Sequence, residues 1–499
     1  MKPHWLFLSG ALLLQAVPAA AQTGTPTPPE RFFKQPPGTD YYLANYSEYE
    51  AYLQKLAGES DRMKLVDIGK SAEGRSQWMA IVSSPANLAK LDEYRAIAEK
   101  LTRAHGVDEA QARTLAAQGK AVVWIDAGMH ATETVTSQGQ IQVLYRMLTQ
   151  SDPETMRMLD DCIILFAHDN PDGMELVANW YMRSTDPKKR EMATLPRLYQ
   201  KYIGHDNNRD SFMAAMPETE NVNRVLFRQW YPQIVYNQHQ TGPEGMVVFV
   251  PPFRDPFNFN YDPIVMAQLN EVGFAMHSRL ISEGKAGSGT RSAAPYSTWH
   301  NGMERSVAYF HNSIGLLTEI IGGPTPAKIP LVPSTQLPRG DEMMPIGPRD
   351  WHLQDRSTIS GRWTAPSSTM PRAIASGCCS TSGRWAPTAS RRAARTAGPS
   401  PRPRSTGWPM PRRSTKGVAP RRSIRPSTRR CFRPRPSVIR APISFPPTSA
   451  TCRPRSPSST RSSRMASRWS APTRRSRRAE KAMPPAPISC APTRPIARM

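Results

Sequence analysis

The sequence predicts an α/β fold in which a sheet is sandwiched between helical layers, followed by a disordered basic tail. Three observations carry that prediction. Apolar runs of strand length alternate with segments of helical period from about residue 40 to 350. Four polar residues, His130, Asn170, His239 and Glu319, each sit at or just past the end of such a run, where the sites of α/β sheets gather. From about residue 356 neither period survives, and Arg, Pro, Ser and Ala dominate.

The elements follow in chain order. "MKPHWLFLSGALLLQAVPAAAQ" has one early Lys2, an apolar run from Trp5 to Val17 and small residues Ala19, Ala20 and Ala21, the layout of a cleaved secretory signal over residues 1–21. The run is shorter than the roughly 20 residues a span needs. The mature chain is therefore expected to be secreted or periplasmic with no membrane span. Residues 22–39 form a Pro-rich, extended lead-in. "SEYEAYLQKLAGES" reads as a helix with Tyr49, Tyr52, Leu53 and Leu56 on one face. "MKLVDIGKSAEGRSQWMAIVSS" alternates like a hairpin around Gly69 and Gly74. "AVVWIDAGM" suits a buried strand, and the helix after it places Ile141, Leu144, Tyr145 and Leu148 together. "CIILFAHDNPDG", "QIVYNQHQTGPEG" and "SIGLLTEIIGG" supply three more strands. Between the last two, Asp262 as N-cap and Pro263 at the first helical position open a helix with Val265, Leu269, Val272 and Met276 along one stripe.

Charge divides the chain unevenly. Of the net +25, residues 356–499 account for about +31, with one acid, Glu480, leaving the first 355 residues near −6. The basic balance belongs to the tail alone. One reading of residues 356–499 is a disordered basic arm; the other is translation out of frame in a GC-rich gene, which the abrupt onset and the joint loss of lysine and acids favour. A phosphate-binding protein is a third class, but the tail has few aromatics for stacking and export removes it from the genome, so no nucleic-acid partner is expected. Only Cys162 precedes residue 356, so the ordered part forms no internal disulfide.

His130 and Glu133, three apart in the turn after a strand, can both face one ion, and His239 at another strand end can complete the three protein ligands a catalytic Zn²⁺ takes. Taken alone, His239 reads equally as a hydrogen-bonded core histidine. Glu319 is a carboxylate at the end of an otherwise apolar strand; buried without a partner it would cost several kcal/mol or shift its pKa upward. A general base beside the metal explains it better than a core position. Arg183 in "NWYMRS" and Arg209 in "HDNNRD" are candidate clamps for a carbonyl or carboxylate oxygen.

Six stretches, "GKSAEGR", "WIDAGMHATET", "NPDG" followed by "WYMR", "NNRD", "YNQHQ" and "LLTEI", occur in an order and at spacings that resemble the zinc metallocarboxypeptidases of the carboxypeptidase A group. The resemblance covers about residues 40–350. It implies an α/β/α sandwich around a mixed, mostly parallel sheet, with a catalytic domain over residues 40–355. One Zn²⁺ would be held by His130, Glu133 and His239, with Glu319 as general base and Arg183 polarising the scissile carbonyl. Asn208 and Arg209 would hold a substrate's terminal carboxylate, and Arg75 would serve a subsite. The implied substrate is a peptide or protein with a free C-terminus; an amidase acting on cell-wall peptides or acylated amino acids would use the same metal chemistry. The family's capping tyrosine matches Tyr296 loosely. Counting back from Glu319 puts the specificity position at Glu304, implying basic C-terminal residues, whereas a one-residue insertion puts Arg305 there and reverses the preference.

Overall fold

The expected hairpin forms from β1 (Met63–Lys70) and β2 (Ser76–Val82), paired antiparallel. Gly69 sits where the register shifts, and a Cβ there would meet the Asn221 side chain at 2.1 Å. This computed structural model describes residues 25–201, 203–353 and 355, all within the first of the chain's two units, Met1–Thr406. The expected signal and the basic tail lie outside the described residues.

Three buried apolar runs become neighbouring parallel strands: β3 (Ala121–Ala127), β4 (Cys162–His168) and β5 (Ile234–His239). β6 (Val248–Phe257), β7 (Ser288–Arg291), β8 (Ser297–Thr298) and β9 (Ile314–Ile320) complete a nine-stranded mixed sheet of order β1-β2-β4-β3-β5-β9-β6-β7, with β8 pairing β6 off that path. Parallel pairs predominate, as expected; β2 runs antiparallel to β4, and β6 to β9.

Alternation along the central strands feeds two separate cores. Val123 and Ile125 of β3, Ile164 and Phe166 of β4, and Tyr236 of β5 join one cluster; Val122, Trp124, Ile163, Leu165 and Val235 join the other. The first face is covered by the helices Tyr46–Glu59, Thr134–Thr149 and Pro263–Ser282. The second is covered by Leu91–Arg103 and the stretch from Val222 to Trp230. The periodicities hold: Tyr49, Tyr52, Leu53 and Leu56 are buried, as are Val265, Leu269, Val272 and Met276. Asp262 caps its helix by accepting a hydrogen bond from the backbone N–H of Ile264. Among the described residues no helix is long and apolar enough to cross a membrane.

Two differences from expectation have plain causes. The lead-in is not wholly extended: Pro29–Phe32 forms a helical turn, and the rings of Phe32 and Phe33 lie 5.0 and 5.1 Å from Tyr52. Strand β6 carries Pro251, Pro252 and Pro256, which argue against a strand in sequence. They are tolerated because Pro251 and Pro252 fall where the pairing with β7 breaks register between Phe249 and Phe253, and Pro256 lies in the exposed end toward Phe257.

The strand order fixes where a site can form. The chain goes from β3 to β4 on one side, then returns to place β5 on the other side of β3. Connections leaving the carboxyl ends of β3 and β5 therefore diverge, and a crevice opens at this switch point.

Candidate metal centre

The turn after β3 brings His130 and Glu133 to that crevice. Gly128 adopts φ +73°, and a Cβ there would come within 2.2 Å of His168 Nε2, so this position requires glycine. The Glu133 N–H donates to the His130 carbonyl at 2.8 Å, closing the turn before the helix Thr134–Thr149 begins. His239 ends β5, in register with Glu319 near the end of β9.

The side chains converge tightly. His130 Nδ1 lies 2.8 Å from Glu133 Oε1, His239 Nδ1 lies 3.0 Å from Glu133 Oε2, and the two Nδ1 atoms are 3.2 Å apart. The outer nitrogens face oxygens: His130 Nε2 is 2.8 Å from Asp206 Oδ1 and His239 Nε2 is 2.7 Å from Asn237 Oδ1. The Asp206 carboxylate assigns the His130 ring proton to Nε2 and turns its Nδ1 lone pair inward, the arrangement by which outer carboxylates orient metal-binding imidazoles. Two nitrogens and a carboxylate, with ligand atoms all within 4.8 Å of one another, are a donor set that zinc takes. The three groups are also strongly coupled electrostatically. Burial opposes charge at Glu133, but the two imidazoles hold its pKa well below the usual carboxylate range. Burial would likewise lower the His130 pKa, yet Asp206 and Glu133 push it up to about 10. The residues present fit the ion.

Glu319 is buried and has a partner. Its Oε2 accepts from both the N–H and the hydroxyl of Thr241 at 2.7 Å. Burial raises its pKa, the nearby Glu133 adds to that, and His239 and Thr241 oppose it. A carboxylate poised above its ordinary value suits proton transfer nearer neutrality. Glu319 and the triplet line one open pocket of about 380 Å³.

Asn208 and Arg209 also line this pocket. Asn208 Nδ2 lies 2.9 Å from His239 Nε2, so Asn208 braces the histidine as well as facing the pocket. Tyr296 is a further lining residue, its hydroxyl donating to the Thr241 carbonyl at 2.6 Å. Arg183 and Arg75 are not brought here. The Arg183 guanidinium stacks 3.9 Å over the Trp180 ring and pairs with Glu191, while Arg75 pairs with Glu73 and Asp172. The two specificity alternatives separate cleanly: Arg305 lines the pocket, and Glu304 does not. Sequence reasoning passed over Asp206, Thr241 and Asn237. Each lies within two residues of a quoted motif residue, and that proximity was the only signal.

Glu304 belongs to a second group, with Asp126 and Asp169, all three buried. Trp124 Nε1 donates to Asp126 Oδ2 at 3.2 Å and to Glu304 Oε1 at 3.0 Å, and Asn237 donates to Asp126 Oδ1 at 2.7 Å. Neither Asp169 oxygen has a partner. Burial raises all three pKa values, Asp126 to about 6, and mutual repulsion adds to the rise at Asp169 and Glu304. The folded state thus holds protons that the unfolded chain releases above about pH 4, and stability falls as pH climbs from there toward the native pKa values. Asp169→Asn and Glu304→Gln should each be more stable than the parent at pH 8 by more than about 1 kcal/mol, with little difference at pH 4. Denaturant melts at the two pH values check this; variants weakened more at pH 8 than at pH 4 would contradict it.

A doubly wound sheet with a zinc donor set and a separate glutamate at its carboxyl edge defines a hydrolase of the metallopeptidase class. Within that class the chain belongs to the zinc carboxypeptidase family, whose profile matches residues 49–326, more than half of the chain. The family's cofactor is one zinc ion, for which the His130–Glu133–His239 triplet is the candidate site. Similar solved structures include a metallo-carboxypeptidase from Burkholderia cenocepacia (14% identity, covering 68% of this chain and 71% of that one, TM-score 0.42). Others are a metallo-carboxypeptidase from Pseudomonas aeruginosa (15%, 68% and 71%, TM-score 0.41) and carboxypeptidase A from Helicoverpa armigera (14%, 72% and 75%, TM-score 0.38). No curated protein matches the chain.

Proposed function

We propose that this chain removes C-terminal residues from peptides. The observation that carries the reading is the meeting, in one pocket, of the His130–Glu133–His239 triplet, Glu319 and the pair Asn208–Arg209. His130, Glu133 and His239 would hold the zinc ion, which supplies Lewis acidity when bound. Glu319, fixed by Thr241, takes a proton from the attacking water and returns it to the leaving amine. Asn208 and Arg209 grip the substrate's terminal carboxylate and set which bond faces Glu319. Arg209 is suited to this because its side chain is 36% exposed at the pocket wall and only loosely paired, 3.7 Å from Asp206. The signal expected over residues 1–21 supports an exported enzyme, secreted or periplasmic.

Dependence on a free carboxylate tests the exopeptidase reading directly. A peptide and its C-terminally amidated twin should differ by at least about 100-fold in kcat/KM, the worth of a charge-assisted bidentate contact. Equal turnover of the two would favour the amidase reading and overturn this one.

A further inference from the structure

A second cavity, of about 20 Å³, has room for one guest the size of a water molecule. Asp169, Asn207, Glu218, Asn223 and Glu304 are among the residues that line it. It carries a surplus of acceptors: both Asp169 oxygens, Asn207 Oδ1, Glu218 Oε2 and Asn223 Oδ1 are buried without a hydrogen-bond partner. The two amides are oriented by what their nitrogens touch. Asn207 Nδ2 donates to the Met129 carbonyl at 2.6 Å and Asn223 Nδ2 to the Ser211 carbonyl at 2.8 Å, so their oxygens are the atoms left over. Asn207 is only 5% exposed, and an oxygen stranded at that depth is costly unless something positive meets it.

Asp169 and Glu304 connect this cavity to Asp126. The Asp169 N–H donates to the Ala127 carbonyl at 3.0 Å, which sets the residue beside the end of β3, where Asp126 lies; Glu304 opens the helix Glu304–Phe310. One ligand oxygen from each of the three acids lies within 4.8 Å of the others. Oxygens on opposite sides of a calcium ion, each about 2.3–2.6 Å from it, are separated by about 5 Å, so one ion can reach all three. Among the described residues, none of these carboxylates has an ion-pair partner within 4.0 Å. Asp126 is served by N–H donors from Trp124, Asn237 and Gln238. The charges least answered are those of Asp169 and Glu304, two negatives for one divalent ion. Carboxylate and amide oxygens with no imidazole or thiolate select a hard cation. Magnesium gives up its waters reluctantly and does not suit a cavity with room for one guest, whereas calcium accepts a shell of protein oxygens.

We propose that Asp126, Asp169 and Glu304, with Asn207 Oδ1, hold one buried calcium ion that braces the inner wall of the zinc pocket. The bracing runs through two asparagines. Asn237 donates to Asp126 Oδ1 at 2.7 Å, and its own Oδ1 lies 2.7 Å from His239 Nε2. The Glu304 N–H donates to Asn208 Oδ1 at 3.3 Å. With calcium bound the three acids no longer need protons at pH 8. The advantage of Asp169→Asn and Glu304→Gln at that pH therefore belongs to the calcium-free protein and reverses when the ion is added.

The test uses the full chain, stripped of metals by chelation and reloaded with one equivalent of zinc, at pH 8. By calorimetry, calcium should bind at one ion per chain with Kd about 10 μM or tighter, since affinity rises with ligand charge and rigidity. Calcium at about 1 mM should raise Tm by about 3 °C or more, and the same concentration of magnesium by less than about 1 °C. Asp169→Asn and Glu304→Gln should each weaken calcium binding at least about tenfold and lose the rise in Tm. Both remove a buried, unpaired acid, so their calcium-free forms should melt no lower than the parent, which separates a lost ligand from a damaged fold. A parent that binds no calcium, or binding unchanged in Asp169→Asn, overturns the site and leaves the cavity to water and shared protons. A magnesium response equal to that of calcium overturns the choice of ion.

Discussion

Glu319→Gln should bind zinc at the same stoichiometry as the parent and lose at least about 1,000-fold in kcat, within the range a positioned general base supplies. The substitution keeps the shape of the side chain. The Thr241 N–H and hydroxyl, which both donate to Glu319 Oε2 at 2.7 Å, can still donate to an amide oxygen. An amide cannot take up a proton from water, so only the chemical step is removed. KM should change little, because Asn208 and Arg209 are untouched. Metal analysis with steady-state kinetics checks both halves, and a Gln variant turning over within tenfold of the parent would remove Glu319 from the mechanism.

His239→Ala should abolish activity, and excess zinc should not restore it. This histidine is 2% exposed and does three things: its Nδ1 faces Glu133 and His130, its Nε2 meets Asn237, and Asn208 leans on it. Its loss removes one of three donors, so zinc affinity should fall by more than the about 100-fold that follows loss of an outer partner. Chelation of the parent should give the same loss, reversed by zinc. Parent enzyme that keeps its activity after complete chelation would contradict the metal assignment.

Much of the scaffold was legible because buried strands announce themselves. "AVVWIDA", "IVYNQH" and "IGLLTEI" begin apolar enough that a histidine or glutamate at or just past the end stands out. That contrast marked His130, His239 and Glu319, and the order of the motifs joined them. What stayed hidden depends on register and side-chain direction, which no linear pattern carries. Arg183 follows the helix Pro171–Met182 at a plausible distance from "NPDG", yet stacking on Trp180 and pairing with Glu191 turn it elsewhere. Asp126 sits inside β3 and reads as a stray acid until the fold sets Asp169 and Glu304 beside it. Glu304 and Arg305 are adjacent in sequence, but successive helical residues point about 100° apart, so one enters the inner acid group and the other the pocket. Counting residues could not choose between them.

The claim that bears the most weight is that His130, Glu133 and His239 hold one zinc ion. Anomalous diffraction at the zinc edge from crystals of the zinc-loaded protein measures this without reference to activity. The account predicts a single strong peak about 2.0–2.2 Å from His130 Nδ1, His239 Nδ1 and a Glu133 carboxylate oxygen. A peak that leaves out either histidine, or lies instead among Asp126, Asp169 and Glu304, would contradict it.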